Sequence, residues 1–512
     1  MKRSAGIKTK VVLVFALLPL AAPLLAAVDF RRPVLVPEPV EMAYKSNVAV
    51  RITAATKFVV TCPDTSAAAW VGEHASKWLG FRPQVAVGRG KPDADGDEGY
   101  SLVARDGRVE IQANALQGVR YALYAVRQIV EPIPEGRELG GWWMPETSIR
   151  DAPSLKFRAI HLCCFPETTA AFLERQIRVA AYYRFNYAVI ESWGMFKSAK
   201  VPFLSLKDSW FTPDEARRLA GIGRDLGITL VPQFNVFGHA TGARHVSGKH
   251  VTLDSDPAHS PLFEPSGGWN WCLSNPDTAK VQLEYLSDMH EAFLNPPFVH
   301  IGCDEANRPS CARCRAAGSY GRLFADHVMA VAAAMRARGA RVMMWHDMLL
   351  DHGDARWKGF YANGSCEEAE LVRAKLPRDI VVCDWYYGKV PEGGDYPTLR
   401  YFGDNGFDVV TCPWRDLSGI VAQASFARKS GLFGMMQTVW NVFSGEQFGR
   451  MMETASAAVW GTEPPMPFVP GMGEAPVARP FAAHWRQCGW DMGSPEYSET
   501  GYWENQTSRS LK

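Results

Sequence analysis

Apolar and polar residues follow two different periods in the second part of the chain. From Phe157 onward, short apolar runs alternate with amphipathic stretches of helical period. The apolar runs predict eight strands, at residues 157–162, 187–191, 228–234, 298–302, 341–345, 380–385, 408–411 and 434–440. Helices are predicted between most of them, for example at 169–184, at 213–226 behind a Thr212 cap, and at 320–338. This repetition favours a closed (β/α)8 TIM barrel. An open doubly wound sheet is the alternative, but no Gly-rich phosphate loop follows the first strand.

The region from residue 28 to about 150 predicts a separate, small α+β domain in front of the barrel. Strand character is present at 34–39, 48–52 and 58–60, and residues 88–96 form a polar, Gly-rich surface loop. The segments 100–103 and 109–113 alternate around Asp106-Gly107, a turn pair typical of hairpins, and a helix follows from about Leu116. Catalytic residue types do not gather here, so we expect a supporting domain that ends near residue 150. The barrel domain then extends from 151 to 460.

The two ends of the chain have compositions of their own. Four basic residues within positions 2–10 precede an apolar run at 11–25 and small residues at 26 and 27. This pattern predicts a signal peptide at 1–27 and an exported protein, periplasmic or secreted, of a bacterium. The apolar run is short for a membrane span, so no membrane anchor is predicted. Residues 461–512 are rich in Pro and Gly and are predicted to form a C-terminal tail.

Composition limits the kinds of partner. The 512 residues are 47% hydrophobic and 21% charged, and their formal net charge is +1. Such a chain folds into globular domains and offers no basic field for nucleic acid or acidic membranes, so we expect a neutral partner. Its 17 Trp include candidates for stacking on the apolar faces of sugars.

The most distinctive chemistry follows the apolar run at 298–302, which leads directly into Asp304 and Glu305. In a barrel of parallel strands, the carboxyl ends of the strands carry the catalytic groups. Neighbouring residues on an extended strand point in opposite directions, so we expect these two carboxylates to have two different tasks. A solvated Asp-Glu pair in a loop is the alternative.

The motif His300-Ile301-Gly302-Cys303-Asp304-Glu305 resembles the His-x-Gly-Gly-Asp-Glu strand end of glycoside hydrolase family 20, the β-N-acetylhexosaminidases. The resemblance runs from about residue 30 to 460, and it includes the domain in front of the barrel. Residues 231–239, ending in His239, are similar to the family's third-strand motif. Other positions that resemble the family's substrate-binding residues are Arg158, Trp345, Trp385, Tyr386, Tyr387 and Trp440.

The resemblance implies a retaining mechanism in which the substrate's own 2-acetamido oxygen is the nucleophile. Glu305 would be the general acid and base, which requires a raised pKa, and Asp304 would stay ionised and orient the acetamido group. Tyr386 or Tyr387 would bind the acetamido oxygen, the tryptophans would enclose its methyl group, and Arg158 would grip ring hydroxyls. His239 and His300 would support the carboxylates. The implied partner is a glycan or glycoside with a terminal N-acetylhexosamine, and no cofactor is implied.

Three positions depart from the family pattern. The Asp expected after Arg158 is missing from 160–165, the second strand ends in Glu191-Ser192-Trp193, and Val442 stands where a Glu is usual. Two other functions therefore stay open. One is a sugar-binding barrel that has lost turnover. The other is a glycosidase for sugars without an acetamido group, with Glu191 or Asp347 as its nucleophile. The sequence does not distinguish gluco from galacto substrates.

Cys303, Cys311 and Cys314 form a further group of candidate ligands just after the motif. Cys-x-x-Cys with a third thiol can bind zinc, but in an exported protein disulfides or buried thiols are the commoner outcome. The spacing places no fourth ligand, although Cys272 could supply one. No metal is therefore predicted.

Overall fold

The computed structural model of the chain describes residues 30–133, 141–165, 168–192, 194–206, 209–240, 257–265, 268–364, 368–440 and 445–462. The predicted signal peptide and residues 463–512 of the predicted tail lie outside these ranges. Within the part of the chain that is described, no helix combines the length and the apolar character that a membrane crossing requires.

The amino-terminal domain is built on a seven-stranded mixed sheet of order β1-β7-β4-β5-β2-β3, with β6 paired to β7. Its strands are β1 (Glu41–Ile52), β2 (Lys57–Thr61), β3 (Gln84–Val87), β4 (Tyr100–Arg105), β5 (Arg108–Ala113), β6 (Glu131–Pro132) and β7 (Trp142–Asp151), and its helices are Ala67–Leu79 and Leu116–Ile129. The predicted hairpin is present, since β4 and β5 pair around Asp106 and Gly107, both of which have positive φ. The strand predicted at 34–39 is wrong, because its prolines remove the N–H donors that a ladder needs. The helix Ala67–Leu79 and strand β7 were not predicted.

The second domain is a closed barrel of parallel strands, as predicted, in which β15 pairs with β8 to complete the ring. Its eight strands are β8 (Phe157–Cys163), β9 (Tyr187–Glu191), β10 (Thr229–Gln233), β11 (Phe298–His300), β12 (Arg341–Trp345), β13 (Val381–Trp385), β14 (Asp408–Cys412) and β15 (Gly434–Thr438). The α-helices described around it are Ala170–Tyr182, Pro213–Leu226, Pro276–Ala292, Ala312–Ala316, Tyr320–Arg336, Glu368–Lys375, Pro397–Asp404, Leu417–Lys429 and Gly445–Trp460. Single turns of 3-10 helix lie at Pro202–Leu204, Asp347–Leu349, Ala355–Trp357 and Glu392–Gly394, with a longer one at Pro257–Leu262.

Residue type explains where these elements begin. Thr212 accepts a hydrogen bond from the Glu215 N–H (3.2 Å) and so caps the helix Pro213–Leu226, which ends at Gly227 in a left-handed conformation. The barrel interior is filled by one side chain in two from each strand, because successive side chains of a strand face opposite sides. On β8, Phe157 and Ala159 face this interior cluster.

By the same alternation, the Arg158 side chain lies on the outer face of the barrel. This corrects the expectation that Arg158 grips ring hydroxyls of a substrate. Its fully buried guanidinium donates to both carboxylate oxygens of Glu98 (2.7 and 2.9 Å) and to the Tyr121 hydroxyl (2.7 Å). Glu98 and Tyr121 belong to the amino-terminal domain. Arg158 therefore joins the two domains near the amino end of β8, a placement that argues against the expected contact with substrate at the opposite rim.

A second buried ion pair lies at this junction. Arg184 Nη1 donates to Asp151 Oδ2 (2.8 Å), and both side chains are fully buried. Asp151 also accepts hydrogen bonds from the Tyr100 hydroxyl (3.0 Å) and from Trp460 Nε1 (2.7 Å). The amino-terminal sheet, the turn after the first barrel helix and the last described helix thus meet at one carboxylate.

Candidate active site

Strand β11 ends in a tight turn that presents Asp304 and Glu305 at the carboxyl rim of the barrel. Gly302, Cys303 and Glu305 have φ values of 64°, 80° and 46°, in the left-handed region that non-glycine residues rarely adopt. A side chain at position 302 would also collide with Asn235 Oδ1, 2.0 Å from an ideal Cβ. His300, fully buried under the Trp345 ring, accepts a hydrogen bond from the Gly302 N–H through Nδ1 (3.1 Å). The turn is therefore fixed from beneath, and it leaves Asp304 buried and Glu305 exposed.

Asp304 is the buried member of the pair. Its Oδ2 lies 3.4 Å from His239 Nε2, whereas Oδ1 is buried and accepts no hydrogen bond from the described residues. Burial, opposed by His239 and reinforced by the charges of Asp347, Glu191 and Glu305, raises the pKa of Asp304 to about 7. An oxygen without a partner in such a place is suited to accept a hydrogen bond from a ligand.

Glu305 is the exposed member, with 49% of its side chain accessible. Its Oε2 lies 3.2 Å from His239 Nε2, and this hydrogen bond, against the effect of burial, lowers the pKa of Glu305. The free protein therefore reverses the expectation that Glu305 has the raised pKa and Asp304 the ordinary one. The reason is where the two side chains lie. Glu305 is exposed to solvent and bonded to the His239 imidazole, which favours its ionised form, whereas Asp304 is buried near other carboxylates, which disfavour its ionised form.

The backbone of Glu305 is held from two sides. Its N–H donates to Asp347 Oδ2 (2.9 Å), and its carbonyl accepts from Trp269 Nε1 (2.7 Å). Asp347 is fully buried, and its oxygens also accept from Asn363 Nδ2 (2.8 Å) and Trp385 Nε1 (3.4 Å). Asp347 thus couples the position of Glu305 to that of a pocket tryptophan.

His239 stands between the two carboxylates, within hydrogen-bonding reach of both. Its φ of 53° and the preceding Gly238, where an added Cβ would lie 2.0 Å from the Asp304 carbonyl oxygen, bring the loop after β10 against the turn after β11. The His239 ring packs on Trp269 at 4.3 Å between centroids. This histidine is placed to exchange a proton with either carboxylate.

Aromatic rings form one wall of the site. Trp345 and Trp440 lie 5.9 Å apart, Trp385 lies 5.2 Å from Tyr387, and Trp440 Nε1 donates to the Tyr387 hydroxyl (2.7 Å). Burial first, with the charge of Asp304 among the further causes, raises the pKa of Tyr387 well above its usual value. Tyr387 therefore stays protonated; its oxygen accepts the hydrogen bond from Trp440, and a further side-chain hydrogen bond joins it to Thr438.

Tyr386 does not join this wall. Its hydroxyl donates to the Lys389 carbonyl (2.9 Å) and its ring stacks on Phe360 (4.7 Å), so of the two tyrosines only Tyr387 contacts both Trp385 and Trp440. Tyr361 lies on the outer side of this wall, and no sequence pattern assigned it a role. Its ring covers Trp385 at 3.9 Å, and the charge of Glu305, after burial, raises its pKa.

A buried polar cluster occupies the places where the sequence departs from the family pattern. Glu191 Oε2 lies 3.1 Å from His161 Nε2, and Glu191 Oε1 accepts from Asn235 Nδ2 (3.0 Å). His161 also packs edge-on against Trp345 (5.6 Å) and Trp440 (4.8 Å), which brings this cluster to the aromatic wall. Trp193 and Val442 lie outside the described residues.

Sequence reasoning missed the supporting roles of Asp347, Asn363, Trp269 and His161. Two signals could have found part of this set. Counting the strand alternation from Phe157 places His161 inside the barrel and Arg158 outside it, and Asp347 follows a predicted strand end by two residues. Trp269 and Asn363 lie on loops, and their contacts carry no periodic signal.

Taken together, the groups at this rim can perform acid–base chemistry beside an aromatic wall. One carboxyl reaches solvent and can exchange a proton, a second is buried with a vacant acceptor, and one imidazole touches both. A tyrosine hydroxyl and three indoles complete the set.

Comparisons with known proteins agree with this arrangement. Residues 32–152 match the family described as "Glycosyl hydrolase family 20, domain 2", and residues 186–415 match "Glycosyl hydrolase family 20, catalytic domain". Together the matched residues make up more than half of the chain. Among curated relatives, the beta-hexosaminidase of Vibrio furnissii is 22% identical over 63% of this chain and 58% of its own length. The beta-N-acetylhexosaminidase of Cellulomonas fimi is 24% identical over 49% of this chain and 51% of its own length, so the chain spans little more than half of these relatives.

Solved structures share the fold. The GH20 exo beta-N-acetylglucosaminidase of Vibrio harveyi in complex with N-acetylglucosamine aligns with a TM-score of 0.65 at 15% identity, over 93% of this chain and 79% of that one. The GH20 beta-N-acetylhexosaminidase of Streptomyces coelicolor A3(2) gives 0.65 at 16% identity, over 91% and 98%.

Proposed function

Because the chain belongs to glycosyl hydrolase family 20, we propose that it removes terminal β-linked N-acetylhexosamine from glycans or glycosides with retention of configuration. The observation that carries this proposal is the buried Asp304 Oδ1, which has no partner among the described residues and lies beside a half-exposed Glu305. Such an acceptor suits the N–H of a 2-acetamido group.

The proposed reaction needs no nucleophile from the protein. Asp304 holds the acetamido N–H and turns the acetamido oxygen toward the anomeric carbon, while Tyr387 donates to that oxygen. Glu305 protonates the leaving glycosidic oxygen as the C–O bond breaks and an oxazolinium ion forms. Water, deprotonated by Glu305, then opens this ion. Trp345, Trp385 and Trp440 enclose the acetyl methyl group and keep water from it.

The proposed reaction needs a protonated Glu305 and an ionised Asp304. In the free site the order of the pKa values is the reverse, since burial raises the pKa of Asp304 to about 7 and His239 lowers that of Glu305. A hydrogen bond from the substrate favours the ionised form of Asp304, and a bound sugar removes water from Glu305 and favours its protonated form. His239 lies within 3.4 Å of one carboxylate and 3.2 Å of the other. We therefore assign to it the transfer of the proton from Asp304 to Glu305.

The contacts to the sugar ring are proposed to differ from those usual in the family. His161 and Glu191 stand near the aromatic wall where the sequence lacks the usual Asp residues. Arg158, buried at the domain junction, takes no part.

A glycosidase for sugars without an acetamido group is the weaker candidate. It would need a free carboxylate nucleophile, but Glu191 already engages Asn235 and His161, and Asp347 engages Glu305, Asn363 and Trp385. We also propose export, with cleavage near residue 27. Amino-terminal sequencing of the mature protein should find Val28 or a close neighbour at its start.

The decisive test compares the wild type and Glu305→Gln on matched aryl glycosides with and without the 2-acetamido group. We expect the wild type to hydrolyse only the acetamido substrate and to be blocked by a thiazoline mimic of the oxazoline. Glu305→Gln, nearly isosteric, should lower turnover by ~10²–10⁴, and less when the leaving group is a good one.

Equal hydrolysis of both glycosides by the wild type would overturn the acetamido mechanism. Near-normal activity of Glu305→Gln would overturn the assignment of the acid. No hydrolysis of any N-acetylhexosaminide across a panel of aryl substrates would favour the sugar-binding alternative.

A further inference from the structure

Four potential metal ligands come together behind the acid loop. The ligand atoms of Glu264, Cys272, Cys311 and Cys314 all lie within 4.8 Å of one another. The sequence grouped Cys303 with Cys311 and Cys314, and this grouping is wrong, because the Cys303 thiol is buried beneath the turn and donates to the Ile301 carbonyl (3.5 Å). Cys272 and Glu264, far away in sequence, take its place.

The distances between the sulfurs distinguish two kinds of cluster. Cys272 Sγ lies 3.6 Å from both Cys311 Sγ and Cys314 Sγ. A disulfide needs about 2.05 Å between its sulfurs. Thiolates placed tetrahedrally at ~2.3 Å from a zinc ion are roughly 3.8 Å apart. One sulfur equidistant from two others at this separation fits a shared metal better than a bond to either.

Backbone N–H groups orient the cluster. Cys311 caps the short helix Ala312–Ala316 and accepts a hydrogen bond at Sγ from the Cys314 N–H (3.2 Å). Glu264 Oε2 accepts from the N–H groups of Ser310 and Cys311 (2.7 Å each). Its other oxygen, Oε1, is buried and receives no N–H from the described residues. The thiols of Cys311 and Cys314 are the side-chain neighbours of this carboxylate. Outer hydrogen bonds that orient a ligand are characteristic of metal sites.

We propose that Glu264, Cys272, Cys311 and Cys314 bind one zinc ion in a closed, tetrahedral site. Three thiolates with one carboxylate oxygen suit the borderline-soft Zn²⁺ better than Ca²⁺ or Mg²⁺, which prefer oxygen ligands alone. Four protein ligands leave no open position, so the ion is structural. A pocket of about 500 Å³, lined among others by Phe263, Glu264, Cys272 and Cys311, gives the metal a route from solvent.

The proposed ion would fasten the loop that carries Glu305. Trp269 Nε1 donates to the Glu305 carbonyl (2.7 Å), and the Asn307 N–H donates to Asn270 Oδ1 (3.0 Å), while the Asn270 side chain donates back to the Asn307 carbonyl. The segments 269–272 and 305–311 therefore run together, and the ligands Cys272 and Cys311 lie at their common end. The metal assignment does not depend on the proposed hydrolysis, whereas its effect on turnover does.

The first test is metal analysis of the full chain purified after growth with added Zn²⁺. We expect one zinc ion per chain in the wild type and in Cys62→Ser, a matched control that removes a half-buried thiol from the amino-terminal domain. Cys272→Ser and Cys314→Ser should lose the zinc. A wild type without zinc, zinc retained by both variants, or a disulfide between Cys272 and either partner in the purified protein would each overturn the proposal.

The second test does not depend on whether these variants fold. The wild type is stripped with a chelator and reloaded with Co²⁺, which should give intense thiolate-to-cobalt charge-transfer bands and the visible bands of a tetrahedral ion. Glu264→Gln should shift the visible bands while keeping the charge-transfer bands. The absence of charge-transfer bands, or a spectrum that Glu264→Gln leaves unchanged, would overturn the site. If the hydrolase function holds, the stripped protein should show a lower kcat with a nearly unchanged KM.

Discussion

Asp304 combines two demands that oppose each other. Its ionised form is the one that the proposed reaction uses, yet burial among other carboxylates raises its pKa to about 7 and disfavours that form. Residues held in such a state usually serve function at the expense of stability. The conflict makes Asp304 testable by thermodynamics as well as by kinetics.

Asp304→Asn should therefore have a lower turnover rate than the wild type and, at high pH, a higher stability. Because the folded-state pKa of about 7 exceeds the unfolded value, the contribution of Asp304 to stability is fully present below the unfolded pKa and is lost as pH rises through the folded pKa of about 7. The Asn variant does not undergo that loss. Between about pH 5 and about pH 8, its free energy of unfolding relative to the wild type should therefore rise by an amount on the order of 1–4 kcal/mol, and its Tm relative to the wild type should rise as well. Turnover of acetamido substrates should fall by ~10²–10³. Calorimetry at the two pH values checks the first claim, and a Tm difference independent of pH would refute it.

Tyr387 and Tyr386 provide a matched pair of neighbouring hydroxyls. Tyr387→Phe should lower kcat by ~10² because it removes a preorganised donor to the acetamido oxygen. Tyr386→Phe removes a hydroxyl that bonds the Lys389 carbonyl, so its kcat should stay near that of the wild type. Steady-state kinetics on one aryl N-acetylhexosaminide suffices, and equal losses in the two variants would contradict the placement of Tyr387.

At the scale of elements, the turn after β11 depends on one glycine for two reasons. Gly302 has φ of 64°, and a Cβ there would lie 2.0 Å from Asn235 Oδ1, the residue that also holds Glu191. Gly339 has φ of 81° but open space around it. Both glycines have a positive φ, but only Gly302 has a neighbouring side chain that an added Cβ would meet.

Gly339→Ala should cost only the left-handed strain, about 1–2 kcal/mol. Gly302→Ala should cost more, roughly 2–4 kcal/mol, because the collision with Asn235 adds to that strain, and it should also reduce activity. Denaturant unfolding of both variants measures the difference. Equal losses of stability would mean that the approach of Asn235 has no energetic importance.

The elements were predictable where a single local signal dominates. All eight barrel strands and the Thr212-capped helix follow from apolar runs and cap residues, and the Asp304-Glu305 strand end was found from its motif. The facing of Arg158 was misjudged because a motif match fixes a position in sequence but not the side of the strand. The pKa order of Asp304 and Glu305 and the gathering of Glu264 with three thiols depend on distant segments, which no local pattern encodes.

At the scale of the whole molecule, two buried arginines join the domains. Arg158 bonds Glu98, and Arg184 bonds Asp151, with no solvent access to either guanidinium. Breaking a buried ion pair by removing one partner leaves an uncompensated charge, which is strongly destabilising.

Arg158→Ala should therefore lower stability by roughly 3–5 kcal/mol and leave KM unchanged. Arg217→Ala, which breaks an exposed pair with Asp214, should change the Tm little. Thermal unfolding and KM measured on the same preparations check both statements. A raised KM with an unchanged Tm would restore the substrate-binding role that the sequence suggested for Arg158.

The carboxylate of Asp151 also constrains the order in which the chain can finish folding. During synthesis, Tyr100 precedes Asp151 and Arg184 follows it closely. Trp460, whose indole N–H also donates to Asp151, is made 309 residues after Asp151. At a synthesis rate of about 5–20 residues per second, this last donor is made some tens of seconds after Asp151. The set of hydrogen bonds to Asp151 is therefore complete only when the end of the barrel domain is present, and a polypeptide that stops short of Trp460 leaves this buried anion without one of its donors.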